Sequence, residues 1–130
     1  MDANRKRISE LVIGCAFEVS NTLGAGFLES VYENALAVEF TRAGICFDRQ
    51  RGLSVSYKGE FIGQYMADFL VEQCLIVEIK ALSRLVPEHE AQVMNYLKAT
   101  GLTVGLLLNF GTPRLGVRRI VWGYDGNQVI

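Results

Sequence analysis

Residues 102–110, LTVGLLLNF, are apolar at nearly every position. Side chains along a strand point alternately to its two faces, so an apolar run without alternation belongs to a central strand covered by helices on both sides. That places the chain in the α/β class. The remaining sequence supplies the covering. From Ile8, the residues Leu11, Val12, Cys15, Ala16 and Val19 recur at helical spacing until NTLGAG breaks the pattern at Gly24 and Gly26. A second helix is predicted over 28–43, burying Val31, Tyr32, Ala35, Leu36 and Phe40, with Gly44 as its left-handed stop. A third opens at Pro87, closes at Gly101 and sets Val93, Tyr96, Leu97 and Thr100 on one face. Strand-like segments lie at 45–50, 53–57, 61–70, 74–80 and 117–123, with YKGEF as a hairpin turn. The predicted order is α-α-β-β-β-β-α-β-β, a mixed central sheet flanked by helices. With neither linker nor repeat, residues 1–130 are expected to form one domain.

Charge narrows the function classes. Thirteen Lys and Arg stand against fourteen Asp and Glu, so attraction to a polyanion has to come from local clusters rather than a global field. Three such clusters occur: Arg5-Lys6-Arg7, Arg49 with Arg51, and Arg114 with Arg118-Arg119. Groups this short are also ordinary solvated surface. No apolar stretch approaches a membrane span, and the first ten residues carry charges where a secretory signal needs an apolar core, so a cytoplasmic protein without membrane partners is expected. Cys15, Cys46 and Cys74 are odd in number and widely spaced, which points to reduced core residues. His89 is the only histidine, so any metal site rests on carboxylates and carbonyls and suits a hard cation, Mg²⁺ or Mn²⁺.

The stretch from Met66 to Lys80, MADFLVEQCLIVEIK, places three charges on otherwise apolar strands. Desolvating an unpaired charge is costly, so each needs a partner, an exposed position or a chemical task. Alternation puts Glu78 and Lys80 on one face, beside Cys74 and Ile76. A two-residue loop at Glu72-Gln73 would pair Asp68 with Val77. A three-residue loop, Glu72 to Cys74, would set Asp68 opposite Glu78 with Cβ atoms about 4.5–5.5 Å apart. Carboxylates that close repel unless a cation joins them, and the Ile79 carbonyl is well placed to add a third oxygen. Lys80, one pleat from Glu78, can then orient a water or stabilise charge on a phosphoryl group. Spacing alone is equally compatible with a plain ion pair between Lys80 and either acid.

The order Asp68, then Glu78-x-Lys80, then a helix carrying Gln92-x-x-x-Tyr96, resembles the active-site signature of the PD-(D/E)xK nuclease superfamily. The upstream GFLESVY, Gly26 to Tyr32, resembles the motif of its GxxExxY branch. The likeness covers nearly the whole chain and departs from the pattern where Met66-Ala67, rather than Pro, precede Asp68. It implies the restriction-endonuclease-like fold, metal binding by Asp68 and Glu78, and assistance to the water nucleophile by Lys80. It also implies that Glu29 binds the same metal directly or through water, and that Gln92 holds a water or phosphate. Without the likeness, Glu29 reads as a carboxylate complementing its helix dipole. Tyr32 and Tyr96 read as core aromatics, and His89 as a solvated surface residue.

The leading expectation is a Mg²⁺- or Mn²⁺-dependent nuclease acting on nucleic acid, DNA before RNA because the superfamily acts mostly on DNA. Strong sequence specificity is not expected, and a homodimer or larger protein partner would supply length and grip. The alternative is a non-catalytic nucleic-acid-binding or assembly module on a nuclease fold, favoured by the slightly negative net charge. A third reading is hydrolysis of a small phosphodiester, on which the apolar surroundings of Trp122 and Tyr124 do not decide.

Overall fold

The computed structural model describes residues 3–123; Tyr124 lies outside them. Helices α1 (Ala3–Leu23) and α2 (Glu29–Arg42) precede strands β1 (Phe47–Tyr57), β2 (Glu60–Val71) and β3 (Leu75–Lys80). Helix α3 (Pro87–Thr100) then leads to β4 (Val104–Asn109) and β5 (Gly116–Val121). The five strands form one sheet in the order β1-β2-β3-β4-β5. Every pairing is antiparallel except β3–β4, and α3 makes the crossover that a parallel pair requires.

The apolar run that set the class is β4, whose six residues are all buried. Val104, Leu106 and Leu108 pack with α1 and α2, while Leu107 packs with Val93 and Leu97 of α3. Gly105 leaves room for α3, since a Cβ there would come within 2.8 Å of Val93. Phe40 of α2, Phe47 and Phe69 form a trio with centroids 5.2–5.6 Å apart, each pair adding about 0.5–1.5 kcal/mol beyond its buried area.

The expected order carries one strand too many. Residues 45–50 and 53–57 belong to a single β1, because Gln50 takes φ +48° and lets the chain continue through QRG without losing register against β2. The observed order is α-α-β-β-β-α-β-β. Smaller corrections follow from which helix face meets the sheet. Leu11 is 44% exposed, and in α2 Ala37 is buried where Val31 and Ala35 are only partly so. Cys46 is exposed rather than a core residue, and Cys74 sits in the turn before β3. The YKGE turn is a two-residue hairpin with Lys58 and Gly59 both at positive φ, a combination whose twist matches the flanking strands. Gly44 (φ +72°) and Gly101 (φ +80°) end α2 and α3 as expected. No helix among the described residues is long and apolar enough to cross a membrane.

Candidate active site

The β2–β3 connection is the three-residue loop Glu72 to Cys74, since Val71 pairs with Leu75. The register continues through Leu70↔Ile76 and Phe69↔Val77, which leaves Asp68 opposite Glu78. There the backbone ladder stops and side chains take its place. The Ile79 N–H donates to Asp68 Oδ2 at 2.8 Å, and the Asp68 N–H donates to Glu78 Oε1 at 3.1 Å. A strand residue directs its N–H and C=O to the same neighbour, so the Ile79 carbonyl also points into the gap between β2 and β3. Strand β2 turns over at this point. Phe69 and Val71 belong to the core under α1 and α2, whereas Tyr65, Ala67 and Leu70 belong to the core under α3, so the alternation slips at Asp68.

Both acids resist ionisation. Burial, reinforced by the Asp68 charge, pushes the Glu78 carboxyl up to about 7, against the opposing influence of Tyr65, the Asp68 amide and Lys80. Burial also raises Asp68; the Ile79 amide opposes that shift, nearby Glu33 adds to it, and Gln50 and Lys80 oppose it. Glu29 is the first residue of α2 and is raised by burial, with Lys80 opposing and Asp68 adding. Lys80 thus acts electrostatically on all three acids, yet makes no ion pair with a described carboxylate within 4.0 Å. The plain ion pair that spacing allowed is not what the fold makes.

Glu29 owes its place to Tyr32. This fully buried ring stacks on Phe110 at 4.8 Å, and its hydroxyl donates to the Gly24 carbonyl and accepts from the Phe27 N–H. Those contacts clamp the loop that opens α2. On the other side of the sheet, Gln92 donates to the Tyr96 hydroxyl at 3.3 Å rather than to either acid. Tyr96 stacks on Tyr65, centroids 3.4 Å apart, and the Tyr65 hydroxyl faces Glu78 without a well-formed hydrogen bond. Gln92 is therefore linked to Glu78 only through two tyrosines. His89 caps its own helix, accepting from the Val86 N–H at Nδ1.

Sequence reasoning missed Tyr65, Gln50 and Glu33. Gln50 Nε2 bridges Glu33 Oε1 at 2.9 Å and Asp68 Oδ1 at 3.2 Å. Counting back from the YKGE turn would have set Gln50 opposite Ala67, because the register shift between Val55 and Ser56 that brings it opposite Asp68 has no mark in the sequence; Glu33 follows Glu29 by one helical turn. The basic clusters also change meaning. Arg49 is held by Glu33 and Asn34 and lies over the Phe69 ring; Arg51 pairs with Asp48, and Arg118 with Glu90.

Oxygen donors alone converge here: two carboxylates whose charge is penalised by burial, and a carbonyl. That set fits a small hard cation, which would offset the repulsion. No group of three or more His, Cys, Asp or Glu side chains among the described residues is close enough to enclose a metal, so Glu29 stands back from the other two acids.

A family model described as the PD-(D/E)XK nuclease superfamily matches residues 6–120. Among solved structures, the crystal structure of SSO0001 aligns with a TM-score of 0.55 at 20% identity, over 92% of this chain and 60% of that one. The crystal structure of an alkaline exonuclease, LHK-Exo from Laribacter hongkongensis, aligns with a TM-score of 0.48 at 13% identity, over 88% and 82% of the two chains. The chain thus spans less than two thirds of the SSO0001 chain, and that likeness supports the fold. No curated protein matches.

Proposed function

We propose, for a chain that belongs to the PD-(D/E)XK nuclease superfamily, that it hydrolyses nucleic-acid phosphodiester bonds, those of DNA before those of RNA, with Mg²⁺ or Mn²⁺. The motif GFLESVY assigns it within that superfamily to the GxxExxY branch. The observation that carries the proposal is the opposition of Asp68 and Glu78 where β2 and β3 part, with Lys80 close enough to act on both and in no ion pair with a described carboxylate.

Asp68, Glu78 and the Ile79 carbonyl would hold the cation, with Glu29 reaching it through water. Bound there, the cation would supply Lewis-acid stabilisation of phosphoryl charge and favour deprotonation of a water. The chain's own contribution begins with Lys80. Its ammonium, in no ion pair with a described carboxylate, would donate to the attacking water or to a non-bridging phosphate oxygen, where negative charge grows as the water oxygen bonds to phosphorus and the leaving oxygen departs. The Lys80 charge in turn acts on Glu29, Asp68 and Glu78, and favours the ionised form of each. Burial of Asp68 and Glu78 makes them stronger electrostatic partners than exposed acids would be.

The test is incubation of the protein with end-labelled single- and double-stranded DNA and RNA, in Mg²⁺, Mn²⁺ or EDTA. Cleavage is expected with metal, absent in EDTA, and reduced at least about a hundredfold in Lys80→Ala, with folding unchanged because that ammonium pairs with no described carboxylate. Binding of nucleic acid without cleavage under either metal would instead support the non-catalytic module.

A further inference from the structure

We propose that Gln50 is a positioning residue, whose side-chain amide fixes the Asp68 carboxylate in the direction that a divalent cation needs. Gln50 stands between two regular pairs of the β1–β2 ladder, Arg49↔Phe69 and Arg51↔Ala67, and so directly opposite Asp68. It adopts φ +48°, the left-handed region that glycine enters freely and a side-chain-bearing residue only at a cost. Such strain persists where surrounding interactions over-determine it.

Here those interactions come from the amide itself. Nε2 lies between two carboxylates, 2.9 Å from Glu33 Oε1 and 3.2 Å from Asp68 Oδ1. Glu33 is in turn held by Arg49 at 2.8 Å, and Arg49 by Asn34 at 2.6 Å. A continuous line of polar contacts therefore runs from α2 to Asp68. The other Asp68 oxygen, Oδ2, is fixed by the Ile79 N–H at 2.8 Å. Donors from β1 and β3 grip the carboxylate on its two oxygens, so it does not swing about its Cβ–Cγ bond. Without Gln50 only the Ile79 contact remains, and Glu33 and Asp68 face each other with no donor between them.

The inference rests on the nuclease reading only in its activity arm. The decisive variant is Gln50→Gly, which accepts the left-handed backbone and removes the amide; Gln50→Glu keeps the length and replaces the donor with a negative acceptor. Both are compared with wild type by thermal melting, by calorimetry with Mn²⁺ alone, and by kinetics on a labelled oligonucleotide. Gln50→Gly is expected to melt at or above wild type, to bind Mn²⁺ about 10–100-fold more weakly, and to lose a similar factor in kcat with KM little changed. Gln50→Glu is expected to lose Mn²⁺ affinity at least as far. Gln50→Gly binding Mn²⁺ within twofold of wild type would overturn the proposal, as would a wild type that binds no Mn²⁺. Wild type that cleaves, beside an unimpaired Gln50→Gly, removes the positioning role and keeps the nuclease reading. Wild type that binds Mn²⁺ without cleaving, beside a Gln50→Gly that has lost the metal, does the reverse.

Discussion

Glu78 shows most directly how burial converts a sequence pattern into a chemical property. The repulsion expected between Asp68 and Glu78 is present, but loss of hydration is the larger cause of the upward shift, from the ordinary 4.5 to about 7. A carboxyl raised in this way binds its proton more tightly in the folded chain than in the unfolded one. Between the two values the folded state therefore holds more protons, and stability falls as pH rises. At about 1.36 kcal/mol per unit, and allowing for coupling to Asp68, lowering the pH from 8 to 5 without metal should return on the order of 2–3 kcal/mol from this group. Urea unfolding in EDTA at the two pH values checks it. Glu78→Gln should lack that gain and be more stable than wild type at pH 8. An identical pH dependence in the two proteins would mean that Glu78 is hydrated.

At the scale of elements, the turn between β2 and β3 decides whether a site exists, because its length selects the register. Glu72 and Gln73 both adopt positive φ, 51° and 58°, and Glu72 is tied to Cys46 through its backbone N–H and its carboxylate. Gln73 makes only an exposed contact to Asp48. Gln73→Gly should therefore relieve strain and stabilise the protein by about 0.5–1 kcal/mol, leaving the register and any cleavage activity unchanged. A chemical denaturation curve measures the gain, and a loss of stability would show that the Asp48 contact outweighs the strain. The same turn marks how far the sequence could be read. Alternation and spacing were enough to bring out β4, the hairpins and the shared face of Glu78 and Lys80, because each follows from local periodicity, whereas the grouping of Asp68 with them rested on the family resemblance. The loop length stayed open between two and three residues, since local pattern does not choose a left-handed backbone for glutamate and glutamine. The supernumerary strand has the same origin in Gln50. Tyr65 was hidden for another reason: its stacking on Tyr96 depends on the slip of β2 at Asp68, which no residue type announces.

For the molecule as a whole, the sheet opens where its acids are, so the proposed cation binding would be linked to folding stability. Asp68→Asn separates the contributions. Asparagine keeps one oxygen for the Ile79 N–H and turns an NH₂ towards Gln50, whose exposed amide can reorient. The lost acceptor and the relieved repulsion with Glu78 and Glu33 oppose each other, which places the metal-free variant within about 1 kcal/mol of wild type. No collapse is expected, because Lys80 has no ion pair with Asp68 to lose. Mn²⁺ at a hundred times its Kd should then stabilise wild type by about 2.7 kcal/mol, and the variant far less, because the ligand pair has lost one of its charges. Thermal melts of both proteins in EDTA and in excess Mn²⁺ give four curves. A wild type indifferent to Mn²⁺, beside a variant destabilised by about 3–5 kcal/mol, would identify Asp68 as half of a buried structural pair and remove the basis for a metal site at this gap in the sheet.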